Sequence, residues 1–176
     1  MLASVFVGTS LDGFLARKNG ALDFLPPGGG EEHGYLAFFE SVDALVVGRG
    51  TFETVLAFPE WPYGSKPCFV LSSRPLDLAA ARERGGVVEQ MAGDPADVLA
   101  RLEKRGMRHV YVDGGVTIQR FLRAGLIQKL VVTRVPVLIG EGVALFGALE
   151  KDVHLEHVQT RHYPSGLVTS EYRVRR

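Results

Sequence analysis

The sequence holds a single cysteine, Cys68, so no disulfide can form within the chain. Cys68 sits in the apolar run 67–71 with no cationic neighbour to lower its pKa, which reads as a small buried hydrophobe rather than a nucleophile. Long apolar runs are missing too: stretches such as 44–48 are far too short to cross a bilayer, and no membrane span is expected. The start, Met-Leu-Ala-Ser-Val-Phe-Val-Gly, has no basic stretch ahead of its apolar part, so no secretory signal is read and the expectation is a cytoplasmic protein. Charge of one sign is absent: Lys and Arg number 20 and Asp and Glu number 20, which leaves no net field to gather a phosphate backbone and argues against nucleic acid. The one local excess, Arg173, Arg175 and Arg176, alternates with Tyr172 and Val174 and reads as a solvated strand end. The five histidines lack metal spacing, since His154 and His157 stand three apart in an extended segment and point to opposite faces; no metal is expected.

What is present is an ordinary globular composition, 46% apolar, in a chain of 176 residues, which suits one domain over 1–176. Residues 2–8 read as a strand, followed by a loop over 9–30 rich in Gly, Pro, Asn and Asp, long enough to mark a site rim. Glu31 and Glu32 open a helix to Glu40, where the macrodipole favours acidic side chains. The continuously apolar 44–47 predicts a strand covered on both faces, with a helix over 51–57. A second buried strand is read at 68–71, a helix at 76–84, a strand at 86–91, and a helix from N-cap Asp94 and Pro95 to Lys104. Residues 109–112 form a strand, 116–124 a helix closed by Gly125, and 126–135 another strand. The tail, 153–163 and 167–174 around Pro164-Ser165-Gly166, is an antiparallel hairpin. The architecture expected is α/β, a mixed and mostly parallel sheet with helices on both faces.

Three buried strands run out into loops that can meet an anion: Gly48-Arg49-Gly50-Thr51, Ser72-Ser73-Arg74, and Asp113-Gly114-Gly115-Val116-Thr117. Ligands of open α/β sheets bind beyond the carboxyl ends of strands. The first and third loops lead into helices, whose first amides suit a phosphate while glycine lets the backbone come close. Arg49 and Arg74 add charge-assisted donors, and the set points to a nucleotide with several phosphates. A dinucleotide fingerprint is excluded at Gly48-Arg49-Gly50, where Glu53 takes the place of the third glycine, and Gly140-Glu141-Gly142 fails at Leu145. No Walker loop and no Gly-x-Ser-x-Gly elbow occurs.

Candidate proton donors lie in or beside the long loop: Asp12, Asp23, Glu31, Glu32 and His33, each of which alone fits a solvated surface role. Asp12, in Ser10-Leu11-Asp12-Gly13-Phe14 just past the first strand, is the candidate catalytic group. Trp61 and Tyr63 fit either stacking on a planar substrate or packing under a loop. The apolar 126–135 and Val137-Leu138-Ile139 are more hydrophobic than a sheet edge leaves to solvent, and predict a homodimer.

Ser10-Leu11-Asp12-Gly13, Ala44-Leu45-Val46-Val47-Gly48-Arg49-Gly50-Thr51-Phe52, Val70-Leu71-Ser72-Ser73-Arg74-Pro75, Asp113-Gly114-Gly115 and Pro136-Val137-Leu138-Ile139-Gly140-Glu141-Gly142 resemble the reductase domain of riboflavin biosynthesis, and more distantly dihydrofolate reductase. The resemblance spans nearly the whole chain. It implies a dihydrofolate-reductase-like three-layer fold, NADPH as hydride donor and a homodimer. By position it implies that Gly48, Arg49 and Thr51 hold the pyrophosphate and nearby ribose, Ser72, Ser73 and Arg74 the 2′-phosphate, and Gly114, Gly115, Val116 and Thr117 the diphosphate and nicotinamide side. Thr9 and Leu11 border the nicotinamide on the same reading. Where dihydrofolate reductases carry an acidic residue on the first helix, this chain reads His33-Gly34-Tyr35-Leu36-Ala37-Phe38, so the small-molecule substrate stays open. Beside a reductase stand a non-catalytic NADPH-binding sensor and a purely structural dimerisation protein; NADPH oxidation separates the first two, and NADPH affinity the third.

Overall fold

A computed structural model describes residues 1–26 and 31–175. In chain order the elements are β1 (Leu2–Ser10), β2 (Phe14–Ala16), α1 (Tyr35–Ser41), β3 (Ala44–Gly48), α2 (Arg49–Leu56), β4 (Cys68–Leu71), α3 (Ala79–Glu83), β5 (Val88–Met91), α4 (Pro95–Lys104), β6 (His109–Asp113), α5 (Gly115–Arg123), β7 (Lys129–Val135), β8 (Val143–Ala144), β9 (Leu155–His162) and β10 (Val168–Val174). Among the described residues, ten strands make an eight-stranded sheet, ordered β5-β4-β3-β6-β1-β7-β10-β9, and a small β2-β8 pair. The sheet is parallel from β5 to β7, and the hairpin of β9 and β10 joins it antiparallel.

Alternation along β1 divides the core. Ala3, Val5 and Val7 face one way and pack with Val98, Leu99 and Leu102 of α4 and Ile118, Phe121 and Leu122 of α5. Phe6 faces the other way and packs with Phe38, Phe52 and Ala81, from α1, α2 and α3. The interior strands β3, β4 and β6 therefore bury both faces, which is why they read as unbroken apolar runs. The three-layer, mostly parallel α/β fold with an antiparallel C-terminal hairpin is as the sequence predicts.

Several boundaries differ, each for a physical reason. β1 continues to Ser10, and the expected loop over 9–30 contains β2, whose partner β8 lies far along the chain where no local pattern could announce it. The helix expected from Glu31 begins only at Tyr35, because Gly34 takes a left-handed φ of 94° and breaks the run; no acidic side chain stands in the first turn. Glu32 instead turns back to accept the Gly34 amide at 2.5 Å. The helix over 76–84 shrinks to α3, since the Leu76 amide is drawn off to the Gln90 side chain at 2.9 Å. The strand expected over 126–135 begins at Lys129, and β7 is no edge: it pairs with β1 on one side and β10 on the other. The apolar character of β7 therefore reflects burial inside the sheet, and the ground on which it predicted a dimer falls away. Among the described residues, no helix is long and apolar enough to cross a membrane.

Candidate active site at the carboxyl ends of the parallel strands

The strand order reverses around β3, β6 and β1, so the crevice between helix-bearing loops opens at the carboxyl ends of these strands. There the two glycine loops meet crosswise. A Cβ on Gly48 would lie 2.6 Å from the Thr117 hydroxyl, and one on Gly114 would lie 2.6 Å from the Thr51 hydroxyl and 3.7 Å from the Gly48 nitrogen. Each glycine thus leaves room for the other loop's threonine, and Gly114 also holds a φ of 100° that side chains rarely adopt. Both glycines are helix N-caps without a side-chain cap bond, so the first amides of α2 and α5 have no side-chain cap competing for them. Gly115 packs against β8, where a Cβ would come within 2.8 Å of the Ala144 carbonyl. Val116, 69% exposed, stands on the outer rim while Thr117 is buried beneath it.

Arg49 clasps the neighbouring loop instead of reaching into solvent. Its Nη2 donates to Ser72 Oγ at 2.9 Å and to the carbonyls of Arg74 and Pro75 at 3.0 and 3.1 Å, while Nη1 lies 3.5 Å from Glu53. The Ser72 hydroxyl in turn donates to the Arg74 carbonyl at 2.7 Å, so Ser72 shapes the turn. That leaves Ser73 and the Arg74 side chain exposed on it. The structure therefore brings Gly48, Arg49, Thr51, Gly114, Gly115, Val116 and Thr117 together at the crossing and sets Ser72, Ser73 and Arg74 at its flank. Thr9 is 1% exposed, so only its backbone can border a ligand, whereas Leu11 is 57% exposed beside it.

Asp12 is exposed, and its carboxylate accepts the amides of Gly140 at 2.8 Å and Ile139 at 3.3 Å. A hydrogen bond from the Ser10 hydroxyl first, then these amides, hold its carboxyl below the usual carboxylate range. A group so placed is an anion bracing the 139–140 turn, which is poor chemistry for a proton donor at neutral pH. Asp23 likewise pairs with Arg17 at 2.6 Å, and Glu31 accepts the Ser165 hydroxyl.

The acid that the sequence reading passed over is Asp113, the last residue of β6. It lies on the sheet face shared by Tyr111 and Phe6, with Tyr35 and Tyr63 close enough to feel its charge. Burial pushes its carboxyl up to about 6, opposed by the Gly114 amide, which donates to Oδ1 at 2.7 Å, and by the Tyr111 hydroxyl facing it. That hydroxyl gives its own proton to the Phe6 carbonyl at 2.6 Å. Burial and then Asp113 push Tyr35 up to about 12, and Tyr63 and Tyr111 rise well above the ordinary phenol value for the same reasons. The signal was present in the sequence: a carboxylate follows the buried Val110-Tyr111-Val112 directly before a glycine pair. Cys68 is buried and pushed up to about 12 by burial and then Asp113, an inert thiol as expected. Trp61 and Tyr63 are 7% and 6% exposed and pack edge to face at 5.2 Å, which is packing under the loop.

Two adjoining hollows of about 630 and 320 Å³ lie elsewhere, between α1 and the β9–β10 hairpin, and share Gly34, Ala37, Arg161 and Tyr163. The smaller is lined by Phe6 and Val131, and His33 presents a buried Nδ1 there without a hydrogen-bond partner among the described residues.

A family model described as the RibD C-terminal domain matches residues 4–169. A solved structure of a putative riboflavin biosynthesis protein from Shewanella sp. PV-4 is 40% identical over the full length of both chains, with a TM-score of 0.90. The uncharacterized protein YwjB of Bacillus subtilis (strain 168) is 29% identical over 162 residues, 90% of each chain. The dihydrofolate reductase of Enterococcus faecalis, solved as a complex with NADP(H), shares the fold at a TM-score of 0.67 and 23% identity, covering 99% of this chain and 97% of that one.

Proposed function

Since the chain belongs to the RibD C-terminal domain family, we propose that it is an NADPH-dependent reductase of a small planar molecule, with Asp113 as its proton donor. The observation that carries the reading is the crossing of Gly48 with Thr117 and of Gly114 with Thr51, a cradle that any Cβ would fill, beneath two helix N-termini without side-chain caps. These residues fit a dinucleotide diphosphate: backbone amides and the positive ends of two helices suit its charge, with the Thr51 and Thr117 hydroxyls beside them. Arg74, exposed beside Ser73, suits the 2′-phosphate as a charge-assisted donor, with Arg49 holding the loop that presents it. When bound, NADPH supplies the hydride.

The chain's own residues have three tasks. Gly48, Gly114 and the first turns of α2 and α5 fix the cofactor's position. Leu11 and the 136–140 segment, joined by the Leu11 amide to the Val137 carbonyl at 2.8 Å and by Asp12, wall off water. Asp113 holds a proton up to about pH 6 and releases it to the substrate, while Tyr35 and Tyr63 remain neutral and can donate hydrogen bonds without adding charge, the Tyr111 hydroxyl being spent on the Phe6 carbonyl. Asp12 then acts through the loop it braces.

Calorimetric titration with NADPH, followed by NADPH oxidation with ketoses, flavin precursors and pterins, tests the proposal. Binding with turnover supports it; binding with no turnover across the panel favours a sensor, and absence of binding favours a structural protein. We also propose a homodimer, formed now at β9, because all eight of its residues are exposed along the open edge of the sheet. Sedimentation showing only monomer at micromolar concentration would remove that proposal.

A further inference from the structure

The helices over the Phe6 face of the sheet stop short of its hairpin end. Strand register sets Phe6, Val131, Glu171 and Gln159 in one row across the sheet, and Gly8, Thr133, Thr169 and Arg161 in the next. Residues directly across from one another share a face, so both rows lie on the side of Phe6. There α1 covers β1 and β6, with the Phe38 ring 5.0 Å from those of Phe6 and Tyr111. Beyond α1 the rows floor the two adjoining hollows of about 320 and 630 Å³. Among the described residues that line them, none belongs to the crossing of Gly48 with Thr117 and Gly114 with Thr51, and Asp113 is not one of them.

Most polar groups on this floor are spent on one another. The Thr133 and Thr169 hydroxyls pair at 2.8 Å, and Glu171 takes Lys129 at 2.8 Å and the Gln159 amide at 3.2 Å. At the α1 rim, Glu31 holds the Ser165 hydroxyl and Glu32 the Gly34 amide. Two groups are left over. Among the described residues the Arg161 guanidinium meets no carboxylate, and the cations acting on Glu171 are Lys129 and Arg173. His33 keeps its buried Nδ1 without a partner, its ring standing edge-on to Phe6 at 5.7 Å and 78°. A buried polar atom left unmatched costs free energy that an occupant with the right group recovers.

One unpaired guanidinium suits one negative charge. A carboxylate matches its planar fork with two parallel hydrogen bonds, whereas a phosphate dianion would set its second charge against Glu171 and Glu32. Phe6, Phe38 and Val131 line the same hollow and favour a flat ring over a flexible chain. The smaller hollow falls at the low end of the roughly 300–1,000 Å³ usual for small-molecule sites, which is room for one or two fused rings. We propose that this hollow is a second binding site, separate from the glycine crossing, for a planar aromatic monocarboxylate. The carboxylate forks onto Arg161, the ring lies against Phe6 and Phe38, and a ring N–H or hydroxyl meets His33 Nδ1. The site stands independently of the reductase reading. Pairing along the open edge of β9 would leave it accessible, because edge pairing uses backbone groups in the plane of the sheet.

A matched trio tests it on the full chain: indole-3-carboxylate, indole-3-carboxamide and 3-indolyl phosphate, titrated calorimetrically with and without saturating NADP⁺. The carboxylate should bind at least about tenfold tighter than either of the others, the scale of one charge-assisted hydrogen bond, and NADP⁺ should leave its affinity unchanged. Arg161→Gln should bring carboxylate and carboxamide to equal affinity. Ala37→Trp, which places a ring in the hollow from an exposed position on α1, should remove binding of both. Thermal melts check that both variants fold. No binding of the carboxylate at millimolar concentration overturns the proposal, as does a carboxamide that binds equally well to the wild type. Tighter binding of the phosphate overturns the choice of a monoanion. Competition by NADP⁺, or a preference that survives Arg161→Gln, places the ligand elsewhere and overturns the site. Failure of NADPH to bind would remove the reductase reading and leave this one standing.

Discussion

Two aspartates sit at opposite ends of strand β6, Asp113 as its last residue and Asp43 reaching it from the start of β3, and the two live in opposite states. Asp43, at the amino end, accepts the amides of Arg108 at 2.7 Å and His109 at 2.8 Å, and these bonds in that order hold its carboxyl below the usual range. Asp113, at the carboxyl end, accepts one amide, sits among phenols, and is pushed up to about 6. At the amino ends of the strands polar groups close on one another: the His109 ring meets Ser4 Oγ at 2.8 Å and the Ser41 carbonyl at 3.0 Å, and Ser4 has no exposed surface. At the carboxyl ends the first amides of α2 and α5 lack side-chain caps, since both N-caps are glycine. The same residue type thus serves as a fastener where its lone pairs are matched and takes up a proton more readily where they are not.

The largest expected effect breaks this comparison at its functional end. Asp113→Asn keeps the Gly114 bond but cannot release a proton, so kcat should fall on the order of a hundredfold, in the usual range for general acid catalysis. In the wild type, kcat should itself decline as pH rises through about 6. Stability should move the other way. A carboxyl whose folded pKa is raised contributes stability present below its unfolded value near 4 and lost as pH rises through about 6. Asp113→Asn should therefore be the more stable protein at pH 8, by at most about 3 kcal/mol for a shift of roughly two units, and should lose that advantage below about pH 4. Thermal melts across pH check this; a variant less stable at pH 8 would show that the carboxylate is held by contacts other than these.

Next comes the cofactor flank. Arg74→Ala should weaken NADPH by roughly one to two decades while barely touching NADH, since a charged hydrogen bond contributes about 1.5–3 kcal/mol and the two differ only in the 2′-phosphate. Equal losses in calorimetric titrations of both would assign Arg74 to the pyrophosphate or the fold. At the amino end, Asp43→Ala should leave kcat unchanged and cost about 1 kcal/mol at pH 7, a small figure because the side chain is exposed and screened. Its sign is opposite to that of Asp113: the Asp43 contribution is present above the unfolded value near 4 and lost as pH falls through the depressed folded one, so wild type and variant should converge in acid. The smallest effect is expected of Asp12→Asn, which should keep NADPH affinity within about twofold and lower turnover a few-fold, as the Nδ2 group that replaces one carboxylate oxygen cannot accept a backbone N–H. Loss of NADPH binding would make the 139–140 turn part of the cofactor site itself.

The sequence determined the parallel core by itself. Strands β3, β4 and β6 are covered on both faces, so each reads as a continuous apolar run, and the glycine loops that follow Val47 and Asp113 mark where two loops approach each other closely. It also determined α4, whose Pro95 start and Lys104 end are local signals of the kind a short window can hold. What only the tertiary structure decided depends on partners far along the chain. The β2–β8 pair joins residue 14 to residue 144, the interior position of β7 is set by β1 and β10, and Asp12 is bound by Gly140. Asp113 and Asp43 are the same letter in the sequence; their opposite proton affinities come from which amides, hydroxyls and rings the fold brings to each carboxyl, and those neighbours arrive from α1, β1 and the 61–63 loop, out of reach of any pattern along β6 alone.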